Sequence, residues 1–436
     1  MLFENYLRLI GYNISVASKK IEQIQNLSSD EFHQWQEDKK WDIAKYHYKN
    51  NPLYRRKVGH YFPGKWKDLP IMEKSDFQDD LEKLFSNGYN RKNTYIANTS
   101  GSSGHPFFFA KNKEAHAMTW ALIKNRYSWH GLKLNSKQAR FFGTPLETTS
   151  NIEEKIKHFI INRVLFPVFD LSDNTLGIFL KKISKIKFEY IYGYTNTLVL
   201  FARYLIKNDI VLKDECSTLR YCIVTSEVLT PEDRKILSKG FGINIVNEYG
   251  VSEAGAIIAF EDRHTNWLIN KETQYIEIVD RNKIPLEDGN IGEIIITDLY
   301  NKAMPFIRYR VGDIGRIKKN IFIAGYKVLD NLQGRTNDNI QLPSGKISPG
   351  LTFYYISRSI LESSGVLKEF IIRQTALDTF IFDIVTDRDL FESEIDDIKN
   401  KMETYLESGL NLVINRIPEI KRPTSGKLKH FYSEIS

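Results

Sequence analysis

The run Asn98–Pro106, "NTSGSSGHP", concentrates hydroxyl residues and glycines ahead of a proline: Thr99, Ser100, Gly101, Ser102, Ser103 and Gly104. Hydroxyls and unhindered backbone amides are groups that a chain presents to phosphate oxygens. A loop between a strand and a helix suits this best, because ordered N–H groups there can face an anion. The spacing is not G-x-x-x-x-G-K-[ST], and no lysine follows. Ser/Thr/Gly clusters also make ordinary surface turns. On its own the loop leaves both readings open.

Further along, "NEYGVSEAG" (247–255) follows an apolar run. Tyr249, next to Gly250, could offer a flat face to a nucleobase, and Glu253, beyond Ser252, is a hard oxygen ligand of the kind Mg²⁺ takes. The plain alternative is a strand end with a buried Tyr and a solvated Glu. In "RYRVGDIGRI" (308–317) Asp313 lies between two glycines. An Asp at a tight turn commonly caps its own backbone, but its carboxylate could equally accept hydrogen bonds from a ribose diol. "GRTND" contains Arg335, and "RPTSGKLKHF" (422–431) carries Lys427 in a glycine-containing stretch. Singly, each of the two reads as solvated charge.

The order of these stretches says more than any one of them. Hydroxyl/glycine loop, Y-G-x-S-E, Y-R-x-G-D, G-R-x-x-D and a late G-K succeed one another over roughly residues 60–430. Together they resemble the adenylate-forming enzymes, which activate carboxylic acids with ATP. The wording is similar to the phenylacetate–CoA ligase branch, and most of all to the CapK proteins of capsular-polysaccharide gene clusters, the latter through "LPSGKISPG".

The resemblance implies roles. Thr99 to Gly104 would hold the β- and γ-phosphates of ATP. Tyr249 with Gly250 would sit against adenine, and Ser226 and Glu227 of "VTSEVL" would line the adenine pocket. Ser252 would lie near the α-phosphate, Glu253 would hold Mg²⁺, Asp313 the ribose hydroxyls, and Arg335 ribose or phosphate. Lys427, Glu253 and Arg335 would serve the reaction, in which a carboxylate oxygen attacks the α-phosphorus, pyrophosphate leaves, and charge builds on phosphate oxygens. The acceptor would be the thiol of CoA or of a carrier protein's phosphopantetheine. An amine such as an amino sugar is the alternative, and a non-catalytic scaffold of the same fold is a third reading. Three departures stand out: His105 replaces a frequent lysine, Asn337 replaces an acidic hinge residue, and "AGAIIAFEDRHTNW" lacks the zinc-binding cysteines common in this branch, so no zinc is expected and His264 reads as a surface or structural histidine.

The elements that would position these residues are those of an α/β protein. The chain has 436 residues, 42% of them hydrophobic and 26% charged, with 26 Phe and 23 Tyr: a globular composition with well-filled cores. A net charge of +7, spread along the chain without a dense basic tract, argues against nucleic acid as a partner and is compatible with a small anionic substrate. Cys216 and Cys222 can build no disulfide framework. No signal-peptide pattern or transmembrane run is evident, so a cytoplasmic location is expected.

Residues 1–90 read as helical. After them, strands are expected at 94–98, 139–143, 188–194, 219–226 and 243–250, with helices at 111–129, 195–207 and 231–239. "QYIEIVD" and "GEIIITD" suggest antiparallel pairing. Beyond residue 336 come a helix (351–363), strands (367–374 and 379–386), a helix (391–407) and a strand (411–417). The predicted organisation is a large adenylation domain, 1–335, and a small mobile α+β domain, 336–436.

Overall fold

A computed structural model describes residues 2–98, 108–143, 152–333, 339–350, 352–353, 356, 367–386, 388–420 and 431–435. Its contacts divide the chain into two units, one formed by residues 1–99, 107–135 and 247–334, the other by 100–106, 136–246 and 335–436.

The first unit begins with helices. The longest, Ser29–Asn50, starts where Ser28 accepts from the Glu31 amide while Glu31 reaches back to the Ser28 amide, a capping box that satisfies two otherwise orphaned donors. Its buried side, Lys40, Ile43, Ala44 and His47, recurs at helical spacing. Strands Gln274–Val279, Ile291–Asp298, Tyr309–Ile323, Tyr326–Gln333, Trp267–Ile269, Ala256–Glu261 and Asn244–Val251 lie side by side in that order. The pairings between them are antiparallel. A shared core of Phe77, Phe109, Ile294, Ile296, Phe306 and Tyr309 binds sheet and helices together.

In the second unit, Arg163–Pro167, Gln138–Phe142, Tyr190–Tyr194 and Tyr221–Thr225 run parallel in that order. Helices Asp173–Ile183, Thr195–Lys207 and Pro231–Phe241 bury Phe179, Phe201 and Phe241 in the same core as Phe141 and Phe166 of the strands. This is the alternation expected of strands buried on a helix-covered face. The C-terminal part forms a second, four-stranded sheet in the order Asn411–Arg416, Thr379–Thr386, Leu367–Ala376, Phe431–Ser433, packed with the helix Glu392–Tyr405. It meets the parallel layer where the Leu171 amide donates to the Ile347 carbonyl at 2.6 Å and the Phe169 ring lies 4.9 Å from that of Tyr405.

The expected strands at 94–98, 139–143, 188–194, 219–226 and 243–250 all occur, shortened or shifted by a residue or two, and the helix at 195–207 has the predicted bounds. The helix placed at 111–129 starts only at Lys113, because Phe108–Asn112 pairs with Thr94–Asn98 as a strand. Of the helix at 351–363 only residues 352, 353 and 356 are described, all helical.

Candidate active site

In the first unit, the "YGVSEAG" stretch is the end of one strand, a turn over Ser252–Gly255, and the start of the returning strand. Its glycines are sterically required. A Cβ on Gly250 would lie 2.4 Å from the Ala256 carbonyl oxygen, and Gly255 has φ +94°, where one would also strike the Gln274 side chain. The pairing shifts register between Tyr249 and Gly250. Tyr249 is buried, its ring 5.9 Å from that of Trp267, and its hydroxyl donates to Asp313 Oδ2 at 2.6 Å.

Asp313 does not sit at a tight turn. It lies within the long strand Tyr309–Ile323, at a bulge. Glu293 pairs with Ile314 while Ile295 pairs with Arg310, so Val311–Asp313 oppose a single residue of the partner strand. Gly312 takes φ +83° there. Bulges re-aim side chains, and this one brings Asp313 to the Tyr249 hydroxyl.

Glu253 is 6% exposed, so the reading of a solvated strand-end Glu is overturned: the turn folds it inward, against the strand that carries Asp313. Tyr309, fully buried, donates its hydroxyl to Glu253 Oε1 at 2.9 Å. The other carboxylate oxygen has no hydrogen bond among the described residues. Lys111 is buried as well, with Nζ 3.5 Å from Thr119 Oγ1. Burial lowers its basicity, and the carboxylates of Asp298 and Glu253 act in the opposite sense. Tyr309 opens the Y-R-x-G-D stretch, but the motif assigns it no role; Lys111 does not stand out in the sequence, although a lysine ending the apolar run "FFFAK" is a signal that it needs a partner. Ser252 is exposed on the turn.

In the second unit, Ser226 and Glu227 follow the parallel strand Tyr221–Thr225. Ser226 has φ +71°, rare for a residue with a side chain. Glu227 is buried. Asn196 donates its backbone N–H to Glu227 Oε2 at 2.8 Å and its side-chain amide to Oε1 at 3.2 Å. Burial pushes the carboxyl up to about 7, against the lowering effect of those two bonds. On the neighbouring strands Phe142 stacks 5.2 Å from Tyr192, and the Arg140 guanidinium lies 4.1 Å and 4.9 Å from the centres of those rings.

Thr99, Ser100, Gly101, Ser102, Ser103, Gly104, His105, Arg335, Asn337 and Lys427 lie outside the described residues. His264 is exposed in the turn before Trp267–Ile269. Among the described residues no helix is long and apolar enough to cross a membrane, and no group of three or more His, Cys, Asp and Glu is arranged around a metal position.

No protein-family model matches the chain. Protein CapK of Staphylococcus aureus is 26% identical over 379 residues, which is 83% of this chain and 79% of that one. The phenylacetate-coenzyme A ligase of Escherichia coli K12 is 32% identical over 141 residues, 31% of each chain. The crystal structure of 2-hydroxyisobutyryl-CoA ligase in complex with 2-HIB-AMP and CoA superposes with a TM-score of 0.62 at 14% identity, covering 94% of this chain and 91% of that one. These likenesses relate the chain to the adenylate-forming superfamily. Within it the relationship is phenylacetate–CoA ligase-like and CapK-like, and the fold is the mixed α/β architecture of these ligases. In the first unit, the pairing of Tyr249 with Asp313 and of Tyr309 with Glu253 is the feature that bears on chemistry.

Proposed function

We propose that this protein is an AMP-forming ligase: it joins a carboxylic acid to ATP as an acyl-adenylate, releases pyrophosphate, and passes the acyl group to the thiol of CoA or of a carrier protein. The observation that carries the reading is the hydrogen bond between Tyr249 and Asp313. It joins two motifs 64 residues apart, as a shared ATP site would require. Asp313 supplies a carboxylate acceptor for the ribose diol, and Tyr249, anchored through its hydroxyl, has its ring orientation set relative to that acceptor. Ser252, exposed on the turn that follows the Tyr249 strand, would approach the α-phosphate.

The residues fit a hard divalent cation. Glu253 is a buried carboxylate with one oxygen steadied by Tyr309 and the other without a hydrogen bond among the described residues, which suits an Mg²⁺ ligand. When bound, Mg²⁺ would offset charge on the phosphates. Thr99–Gly104 would cradle the β- and γ-phosphates, and Arg335 would contact ribose or phosphate. The Lys427 ammonium would face the α-phosphate as charge develops on it. The acid would lie near "FFGTP" and "IYGYTN", where Arg140, Phe142 and Tyr192 make a cationic and aromatic face. Residues 336–436 would act as the moving part that brings Lys427 in for adenylation and withdraws it for transfer. The CapK likeness supports a place in polysaccharide assembly, where an amine acceptor would replace the thiol.

Acid-dependent exchange of labelled pyrophosphate into ATP tests this directly. Exchange with at least one member of a broad acid panel is expected, and that acid then names the substrate class. Absence of exchange across the panel, with the protein folded and Mg²⁺ present, would instead favour a scaffold.

A further inference from the structure

Glu227 spends its hydrogen bonds away from the strand it follows. Oε2 accepts from the Asn196 backbone N–H at 2.8 Å, Oε1 accepts from Asn196 Nδ2 at 3.2 Å, and Thr195 Oγ1 donates to the Glu227 carbonyl at 3.1 Å. Thr195 and Asn196 are the first two residues of the helix Thr195–Lys207, and the residue before it, Tyr194, has no capping side-chain bond. The first turn of a helix leaves N–H donors without intrahelical partners, and a carboxylate there is favourable. Glu227 thus caps a helix that begins 32 residues earlier in the chain. Directly before it, Ser226 holds φ +71°, a conformation that persists where its surroundings over-determine it.

We propose that Glu227 is a positioning residue that locks the Ser226 loop and the Tyr192–Asn196 segment into one body, so that the nucleotide-side and acid-side loops are set together. The inference rests on the adenylation reading, in which the first loop lines the adenine pocket and the second the acid pocket. Asn196 engages both oxygens, so the helix start sets the orientation of the carboxylate.

The clamp has a built-in pH dependence. Ionised, the carboxylate offers both oxygens as acceptors; protonated, one of them becomes an O–H donor. Burial holds the group at about 7, and Asp233, in the first turn of Pro231–Phe241, adds to that by opposing its ionisation. Because this value is raised above the ordinary carboxylate range, the stability the group contributes is fully present in acid and lost as pH rises through about 7. The ordering effect on the two loops runs the other way and is greatest above it.

The test uses the full chain with Glu227→Ala and Glu227→Gln, each checked for a cooperative melt. Amide hydrogen exchange is read over residues 194–200 and 224–229. Loss of a charge-assisted bond should speed exchange in both segments about tenfold or more in the Ala variant, with partial recovery in Gln. In pyrophosphate exchange, KM for ATP and KM for the acid should rise together, by about tenfold each in Glu227→Ala. The wild-type pH dependence of both KM values near neutrality should be lost in Glu227→Gln. A rise in KM for ATP alone, with exchange at 194–200 unmoved, would make Glu227 a direct nucleotide contact and overturn the clamp; so would no change in either segment. Should the wild-type protein exchange no pyrophosphate with any acid, the adenylation reading fails, and the amide exchange still decides the clamp.

Discussion

The two units hold carboxylates of the candidate site by different means. In the antiparallel corner, Asp313 and Glu253 each receive a tyrosine hydroxyl, from Tyr249 and Tyr309. In the parallel corner, Glu227 has both oxygens engaged by Asn196 at a helix start. A hydroxyl fixes one oxygen of a carboxylate without neutralising it, and leaves acceptor capacity for a ligand. A helix N-terminus instead engages both oxygens and fixes the whole carboxylate. The first arrangement suits groups that would meet a ligand, and the second suits a group that orders the loops next to it.

The largest expected effect lies outside both corners. On the proposed reading, Lys427→Ala would remove a single charge aimed at the developing phosphate charge, a loss that typically slows a reaction by on the order of 10²–10³. Adenylate formation should fall by that much. Given synthetic acyl-adenylate and the same acceptor, release of AMP should stay near the wild-type rate. Equal losses in both assays would mean that Lys427 remains in place throughout and that residues 336–436 do not turn between the half-reactions.

Within the antiparallel corner, Glu253→Gln should raise the Mg²⁺ concentration needed for half-maximal exchange, because a neutral amide is a far weaker ligand for a hard cation. Tyr309→Phe should do the same more weakly, by about 10–100-fold, the usual cost of removing a group that orients a metal ligand. Titration of Mg²⁺ at saturating ATP measures both. An unchanged Mg²⁺ requirement in both variants would take Glu253 out of the metal site and blur the contrast with Glu227.

How legible these corners were depended on how local their causes are. The strand endings near Tyr249 and Ser226 follow from apolar runs closed by turn residues, and they fall within one residue of where the pattern places them. The Tyr309–Glu253 bond, the burial of Lys111 and the bulge at Val311–Asp313 depend on which strand lies beside which, and residue order does not display that. Of the two readings open for Asp313, the tight-turn one rests on two nearby glycines, which serve a bulge equally well. Lys427 and Arg335 rest on motif order alone, since they lie outside the described residues.

A third test concerns the bond that joins the two motifs. Tyr249→Phe keeps the ring and removes the hydroxyl that donates to Asp313. Hydrogen bonds to charged groups contribute about 1.5–3 kcal/mol, so ATP affinity should fall about tenfold, while the acid's KM stays unchanged. That selectivity is what separates this corner from Glu227, whose loss should move both. Calorimetric titration with a non-hydrolysable ATP analogue would measure it, and a matched change in acid affinity would erase the distinction.

The smallest effect should come from Gly312. Its φ of +83° lies where residues with a Cβ are strained, yet a Cβ there would meet nothing within 4 Å. Gly312→Ala therefore isolates backbone strain from steric clash, at about 1–2 kcal/mol of stability. Gly250→Ala is the control, since its Cβ would lie 2.4 Å from a carbonyl oxygen and should cost more. If the bulge exists to aim Asp313, Gly312→Ala should weaken ATP binding slightly as well as lower the melting temperature, because a chain relieving that strain flattens the bulge and withdraws the carboxylate from Tyr249. A variant that loses stability but binds ATP as the wild type does would mean that the strand carries Asp313 to the same place without the bulge's help. The antiparallel corner would then owe its geometry to the tyrosine hydroxyls alone.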